Sequence, residues 1–198
     1  MAFSDNVWWT RKARIQSEKR LLSNAFQSQV LLLWYSFFGV AVSVYYLKFA
    51  NSSASTSTSA DLAGITWVVY SVLLLCLSGF IAGLSFKERA GLIKECYETL
   101  NSLYQKAKAQ DADIGVLAEE HQQIMGLCEN HTDSDYYIAL CETYLTHPSP
   151  RGDENGLDRW PTKYHWMMVV MNKVKRILMF SLLYLLPIGI FMALELLP

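Results

Sequence analysis

The sequence predicts an all-α membrane protein with a transmembrane helical hairpin, a set of cytosolic helices, and a third C-terminal helix that is either transmembrane or interfacial. The main observation is that Lys, Arg, Asp, Glu and His are absent from three long stretches, 30–47, 62–86 and 177–194. At about 1.5 Å per helical residue, the shortest stretch is roughly 27 Å long, close to the roughly 30 Å hydrocarbon core of a bilayer. A soluble core helix would carry a polar face, which these stretches lack.

The first element, residues 1–29, is predicted to be a basic N-terminal cytosolic helix with Ser4 or Asp5 as its N-cap. Its basic residues, with Trp8 and Trp9, suit an anionic membrane surface, where each nearby cation contributes about 1 kcal/mol. An ordinary helix packed against the cytosolic bundle is the open alternative. The candidate membrane-surface residues are Arg11, Lys12, Arg14, Lys19 and Arg20.

Two spans follow, transmembrane helix 1 over residues 30–48 and transmembrane helix 2 over residues 62–86. Between them, residues 49–61 form a short external loop rich in Ser and Thr. A secretion signal is the weaker interpretation, because the apolar run exceeds the usual core of about 7 to 15 residues in a signal peptide. A second span after so short a loop favours a hairpin of helices.

Small residues within these spans are candidates for close helix packing or assembly. Gly79 and Gly83 form a GxxxG pattern in the second span, and Gly39 with Ser43 forms a weaker version in the first. Such a face packs helices together either within one chain or between chains. Charged residues are absent from the apolar cores, which argues against a proton-coupled transporter or a voltage sensor.

The region 87–176 reads as cytosolic and helical. Apolar residues recur at helical spacing along two segments, with Asp111 or Asp113 as a candidate cap between them and Thr132 or Asp133 as the cap of a third, shorter helix. Residues 147–156, which contain two prolines and two glycines, are then a loop. The first stripe is Leu92, Cys96, Leu100, Leu103 and Ala107, and the second is Ile114, Leu117, His121, Ile124 and Cys128.

Residues 177–197 form the predicted third transmembrane helix. Pro187 lies in the middle and removes a backbone hydrogen bond, which membrane helices tolerate when a neighbour satisfies the freed carbonyl. Aromatic and basic residues in 160–176 are typical of the headgroup level, so a re-entrant or interfacial end is the competing interpretation.

The basic residues predict the orientation of the spans. Of the seventeen Lys and Arg residues, only Lys48 lies between the first two spans. Because cytoplasmic flanks carry an excess of Lys and Arg, we expect a multi-pass protein with a cytoplasmic N-terminus and an external C-terminus.

Candidate metal ligands are densest in CENHTDSDYY, which contains Glu129, His131, Asp133 and Asp135. A helix end followed by a capped helix start explains the same residues, since acidic groups are favoured near a helix N-terminus. The sequence carries no GxSxG, HExxH or Gly-rich phosphate loop. We therefore expect no enzyme activity and no catalytic, cofactor-binding or metal site, with His121 as a packing residue.

The four cysteines also suggest no site. Cys76, Cys96, Cys128 and Cys141 fall singly, without a CxxC pair, so neither zinc nor a disulfide framework is indicated. We expect them to be reduced packing residues. The net charge of -1 gives no argument for direct nucleic-acid binding.

Several stretches resemble the SLATT family of bacterial two-transmembrane effector domains, in particular the subfamily associated with reverse transcriptases. They are TRKARIQSEKRLLSNAFQSQVLLLWYSFFGVAVSVYYL, ECYETLNSLYQKA after the second span, and CENHTDSDYY. The likeness covers nearly the whole chain. The third apolar segment departs from the simple two-span picture of the family.

The resemblance implies an effector of a bacterial antiviral defence or conflict system at the inner membrane. Such a protein would oligomerise and form a pore on an upstream signal, and its partners would be the lipid bilayer, further copies of itself, and a neighbouring defence protein such as a reverse transcriptase or a nucleotide-signal synthase. The alternative is a membrane-anchored scaffold that positions such a partner without pore activity.

Overall fold

The computed structural model describes residues 3–49, 57–109, 113–148 and 156–196. These residues are mostly helical and contain no strand. The helices are α1 (Phe3–Phe49), α2 (Ser57–Gly83), α3 (Phe86–Ala107), α4 (Ile114–Gly126), α5 (Asp133–Thr146) and α6 (Lys163–Leu196). The all-α prediction is confirmed, and much of the predicted external loop 49–61 lies outside the described residues.

The chain divides into two compact units. Met1–Asn24 and Phe86–Ile177 form one, here called the helical unit, and Ala25–Ser85 and Leu178–Pro198 form the other, here called the apolar unit. Both α1 and α6 contribute residues to each unit. The boundaries lie close to those that the charge-free stretches suggest.

A turn separates α2 from α3 within the predicted span 62–86. The turn lies at Leu84 and Ser85, and Ser85 has a φ of 44°, a left-handed conformation that is uncommon outside glycine. The charge-free stretch continues through this turn, so hydropathy alone placed the end of the span three residues after Gly83, where α2 ends.

The core of the helical unit follows the predicted stripes with two changes. Ile93, rather than Leu92, is buried on α3, and Leu92 is 54% exposed. Ile114 is likewise exposed at the start of α4. The main buried cluster consists of Val7, Cys96, Leu100, Leu103, Leu117 and Ile124, so α1, α3 and α4 share one core.

Two predicted caps are present. The side chain of Asp113 accepts hydrogen bonds from the backbone N–H groups of Gly115 and Val116 and so caps α4. Thr132 caps α5 in a capping box with Asp135, in which each side chain bonds the other residue's backbone N–H. Because α1 begins at Phe3, Ser4 and Asp5 lie in its first turn instead of at the N-cap.

Large apolar side chains of the apolar unit face outward. Leu75 is 73% exposed, and Phe37, Val68, Leu73, Phe80 and Leu182 are also more than half exposed. Surfaces of this kind suit hydrocarbon, since a soluble unit would bury them. Within the described ranges, three helices are long and apolar enough to cross a membrane.

The third of these helices is continuous. Helix α6 runs from Lys163 to Leu196 with Pro187 inside it, so the described part of this segment makes no re-entrant turn. Pro187 leaves one backbone carbonyl of α6 without its helical donor, and a polar contact inside the apolar unit supplies another donor.

Candidate functional site

The backbone of α6 loses one hydrogen bond at Pro187, and a side chain from α1 replaces it. Proline has no N–H, so the carbonyl of Leu183, four residues earlier, has no helical donor. The hydroxyl of Tyr35 donates a hydrogen bond to this carbonyl, with an oxygen–oxygen distance of 2.9 Å. Pro187 is fully buried and Tyr35 is 8% exposed, so this bond lies inside the unit. In an apolar medium, an unpaired carbonyl would cost several kcal/mol, by order of magnitude about 2 to 7.

Two more hydrogen bonds join α1 to α6. The indole N–H of Trp34 donates to the carbonyl oxygen of Tyr184 at 3.0 Å. The hydroxyl of Tyr184 donates to the side-chain oxygen of Gln27 at 3.2 Å. Consecutive carbonyls of α6 therefore accept from consecutive aromatic residues of α1.

Helix α2 joins this arrangement through Tyr70. Its hydroxyl donates to the carbonyl oxygen of Tyr35 at 2.8 Å. A Cβ at Gly39 would lie only 3.1 Å from the Tyr70 ring, so α1 and α2 approach closely there because residue 39 is glycine. We call Tyr35, Tyr70, Leu183 and Pro187 the proline junction, which connects all three helices of the apolar unit.

Removing the hydroxyl at Tyr35 is expected to destabilise this junction only while the proline is present. Tyr35→Phe should cost about 0.6 to 2 kcal/mol, the range for polar contacts between membrane helices. In a Pro187→Ala background the alanine N–H can bond to the Leu183 carbonyl, so the cost should shrink. A double-mutant cycle of unfolding in detergent measures this coupling.

The control for that cycle is Ser36→Ala, because the Ser36 hydroxyl donates to the carbonyl of Leu32 in its own helix, at 2.9 Å. An equal cost of Tyr35→Phe with and without Pro187 would show that the tyrosine does not serve the freed carbonyl.

The four candidate assembly residues have different surroundings. Gly39 packs against Tyr70 within the chain, and Ser43 donates to the Gly39 carbonyl of its own helix at 2.8 Å. A Cβ at Gly79 or Gly83 would meet no atom within 4 Å in the part of the chain that the structure describes. The GxxxG face of α2 is therefore open, and intramolecular packing does not account for its glycines.

The five N-terminal basic residues also have different surroundings. Arg14 is fully buried, which contradicts a membrane-surface position for this side chain, and Arg20 forms an ion pair with the buried Asp135. Burial in the helical unit, the alternative interpretation, describes them. Lys12 lies 5.2 Å from the Trp8 ring centroid and Lys19 pairs with Glu142 at 3.2 Å. The Nε atom of Arg11 is buried without a hydrogen-bond partner.

Arg14 has an unusual environment, because its partners are sulfur atoms. Its Nη1 atom donates to Sγ of Cys96 at 2.7 Å and to Sγ of Cys128, and its Nη2 atom lies 3.1 Å from Sδ of Met125. Its Nε atom has no partner, and no carboxylate of the described residues lies within ion-pair distance. We call Cys96, Met125 and Cys128 the sulfur cluster of Arg14.

Arg20 and Asp135 form the buried ion pair of the helical unit. Nε and Nη2 of Arg20 donate to the two carboxylate oxygens at 2.9 and 3.0 Å. The backbone N–H and hydroxyl of Thr132 also donate to this carboxylate, at 3.0 and 2.8 Å. The Asp135 side chain is fully buried, and its charge is balanced by Arg20 and these four hydrogen bonds.

The acidic stretch after α4 does not form a metal centre among the described residues. Glu129 forms a bidentate ion pair with Arg89 of α3, and the Asp135 carboxylate accepts hydrogen bonds from Arg20 and Thr132. No group of three or more His, Cys, Asp or Glu side chains with metal-binding geometry occurs in those ranges. Asp135 thus takes part in the cap of α5, and Glu129 links the segment after α4 to α3.

Two histidines of the helical unit are held in their neutral form. Burial, followed by the nearby Arg14 charge, lowers the pKa of His121 below its usual 6.5. Burial and Arg14 also lower the pKa of His131, against smaller opposing contributions from Asp135 and Asp133. The Nε2 atom of His121 and the Nδ1 atom of His131 are buried and have no hydrogen-bond partner among the described residues.

Acidification is therefore expected to destabilise the helical unit. A lowered pKa means that the unfolded chain binds more protons than the folded chain once the pH falls below 6.5, and stability is lost from there downward. The melting temperature in detergent should fall from about pH 7.5 to about pH 5.5. The fall should be smaller in a His121→Gln, His131→Gln variant, whereas a wild type that is more stable in acid would contradict this sign.

The donor to the Leu183 carbonyl and the burial of Arg14 were not predicted from the sequence. Nothing in the sequence pairs Tyr35 with Leu183, which lies 148 positions further along the chain. For Arg14 a signal existed, since Val7, Arg14 and Leu21 recur every seven residues and all three are buried.

The fold and these contacts define an all-α membrane protein. The apolar unit contains the hydrogen bond beside the buried Pro187, and the helical unit contains the ion pair between Arg20 and the buried Asp135. The chain belongs to the SMODS and SLOG-associating 2TM effector domain family 5, whose match covers residues 2–193. Comparisons with curated proteins and with solved structures gave no match.

Proposed function

We propose that the protein is a membrane effector of a bacterial antiviral defence or conflict system. On an upstream signal it oligomerises and permeabilises the inner membrane. Membership of a family described as two-transmembrane effector domains supports the effector role. The family description names two transmembrane segments, and α6 is a third long apolar helix among the described residues. This helix contains the buried Pro187 of the proline junction.

The observation that carries the proposal is the open glycine face of α2. Gly79 and Gly83 have free space above their Cα atoms, and Phe80 between them is 66% exposed. Small residues of this kind let a second helix approach closely in a membrane, where packing and not the hydrophobic effect drives association. A second copy of the chain is the occupant that an oligomeric effector requires.

The proposed topology has a cytoplasmic N-terminus and an external C-terminus. It is supported by the distribution of Lys and Arg, of which only Lys48 lies between the first two charge-free stretches, 30–47 and 62–86. The helical unit then lies in the cytoplasm, where it can receive a signal from a neighbouring defence protein such as a reverse transcriptase or a nucleotide-signal synthase. The function requires no catalytic residue and no direct binding of nucleic acid.

The second candidate is a membrane-anchored scaffold that positions such a partner without opening a pore. The favouring observation is on the helical unit, where Leu127 and Leu145 are 72% and 70% exposed. Apolar side chains at such exposure suit a protein contact.

A flux assay separates the two candidates. The purified full-length protein is placed in vesicles that contain a small fluorescent dye, at increasing protein-to-lipid ratio. Dye release that rises more steeply than linearly with this ratio is expected for an oligomeric pore. Vesicles that hold the protein and retain their dye at every ratio, with and without the partner protein, would favour the scaffold.

A further inference from the structure

The two cysteines nearest to Arg14 come from different parts of the helical unit. Cys96 lies on α3 and is 2% exposed, whereas Cys128 follows the end of α4 and is partly exposed. Both sulfurs contact the same nitrogen, Nη1 of Arg14, so the two sulfurs are neighbours. The two residues are 32 positions apart and no motif links them, so the sequence alone indicates single packing residues.

The segment that carries Cys128 is held against α3 by a second contact. Glu129, the next residue, accepts hydrogen bonds from Nε and Nη2 of Arg89 at 2.8 and 2.6 Å. Cys96 itself donates to the carbonyl of Ile124 at 3.4 Å. A covalent bond between the two sulfurs would therefore join parts of the chain that already touch.

The charge of Arg14 makes this sulfur pair different from an ordinary one. The guanidinium is fully buried, and the buried carboxylate of Asp135 is occupied by Arg20. Negative charge that develops on a neighbouring sulfur is the compensation available to Arg14 within the described residues. The guanidinium thus favours reactions in which a sulfur acts as a nucleophile.

The two cysteines differ in how far they are buried. Burial, with a smaller contribution from Cys128, raises the pKa of the Cys96 thiol to about 12 although Arg14 opposes this. Cys96 consequently keeps its proton near neutral pH. Cys128 is the more exposed of the two and is the one that a small oxidant reaches first.

We propose that Cys96 and Cys128 form an oxidisable dithiol, in which Arg14 assists Cys128 as the nucleophile that attacks hydrogen peroxide and Cys96 then closes a disulfide. In the first step the Cys128 sulfur attacks one oxygen of hydrogen peroxide. The sulfur–oxygen bond forms, the oxygen–oxygen bond breaks, and the other oxygen leaves as water with the thiol proton.

In the second step the Cys96 sulfur attacks the sulfenic sulfur of Cys128. The disulfide bond forms, the sulfur–oxygen bond breaks, and the hydroxide leaves as water with the Cys96 proton. Two thiols and one peroxide become one disulfide and two waters. This modification is independent of pore formation and is tested on the protein itself.

The test is peroxide titration of the reduced full-length protein in detergent, followed by alkylation of the remaining thiols and mass spectrometry of the peptides. We expect a linked Cys96–Cys128 peptide to appear while Cys141 stays alkylated. Cys141 is the matched control, because it is buried in the same unit and no guanidinium contact to it occurs among the described residues. Cys96→Ser should stop the reaction at a sulfenic acid on Cys128, trapped by dimedone.

Arg14→Met should slow formation of the linked peptide by about tenfold, and Arg14→Lys should restore part of the rate. The melting temperatures of both variants, compared with wild type, separate a change of reactivity from a change of folding. Oxidation of Cys128 no faster than Cys141, a linked peptide with another cysteine, or a rate unaffected by Arg14→Met in a folded protein would overturn the proposal.

Discussion

Replacing Gly83 by isoleucine is expected to abolish toxicity of the expressed protein while leaving its membrane insertion intact. The new side chain would occupy the open face of α2, where a Cβ meets no atom within 4 Å in the described chain. Since none of the described residues occupies this space, the fold of one chain should tolerate the change. Close approach of a second copy should not, because a branched side chain replaces a hydrogen at the point of contact.

Gly189→Ile is the matched control for this prediction. Gly189 lies on α6 in the same apolar unit, it also has no neighbour within 4 Å, and it belongs to no GxxxG pattern. Membrane fractionation, growth curves and cross-linking of the induced protein compare the two variants. Toxicity that survives Gly83→Ile, or that is lost equally with Gly189→Ile, would show that the GxxxG face is not the assembly surface.

Replacing Arg20 by methionine is expected to cost about 3 to 5 kcal/mol of unfolding free energy, because it leaves the Asp135 charge buried without its partner. The hydrogen bonds from Thr132 remain, yet they do not neutralise the carboxylate. Asp135→Asn should cost less, since Arg20 is 30% exposed and can keep its charge near water. Denaturant unfolding in detergent measures both changes.

The neighbouring lysine provides the control for the ion pair. Lys19 pairs with Glu142, and both side chains are about half exposed at 56% and 47%. Lys19→Met should therefore change the unfolding free energy by less than about 1 kcal/mol. Similar small losses for Arg20→Met and Lys19→Met would mean that the buried pair does not hold the unit together.

The helices of the apolar unit were predictable because their signal is local. A stretch without charge must avoid water over its whole length, and each of the three stretches lies almost wholly within one long helix, α1, α2 or α6. The turn at Ser85 was not predictable in this way, since its φ of 44° leaves no trace in hydropathy. The cap at Thr132 was predictable, because capping depends on residues only three positions apart.

The contacts of the functional regions depend on residues far apart in sequence. The sequence indicated that the carbonyl freed by Pro187 needs a donor, but only the packing of α1 on α6 identifies Tyr35. The sequence left open whether Arg14 lies at an anionic membrane surface, as its basic neighbours with Trp8 and Trp9 suggest, or in a helix packed against the cytosolic bundle. Its burial against Cys96 and Cys128 is a property of the assembled unit.

The most direct test of the proposed function is the membrane potential of bacteria after induced expression, followed with a voltage-sensitive dye. The protein is expressed alone and together with the product of the neighbouring gene, with Gly83→Ile as the inactive control. We expect depolarisation that precedes loss of viability and is absent in the control. An unchanged potential under both conditions, with the protein present in the membrane, would contradict the pore-forming effector and leave the scaffold as the better account.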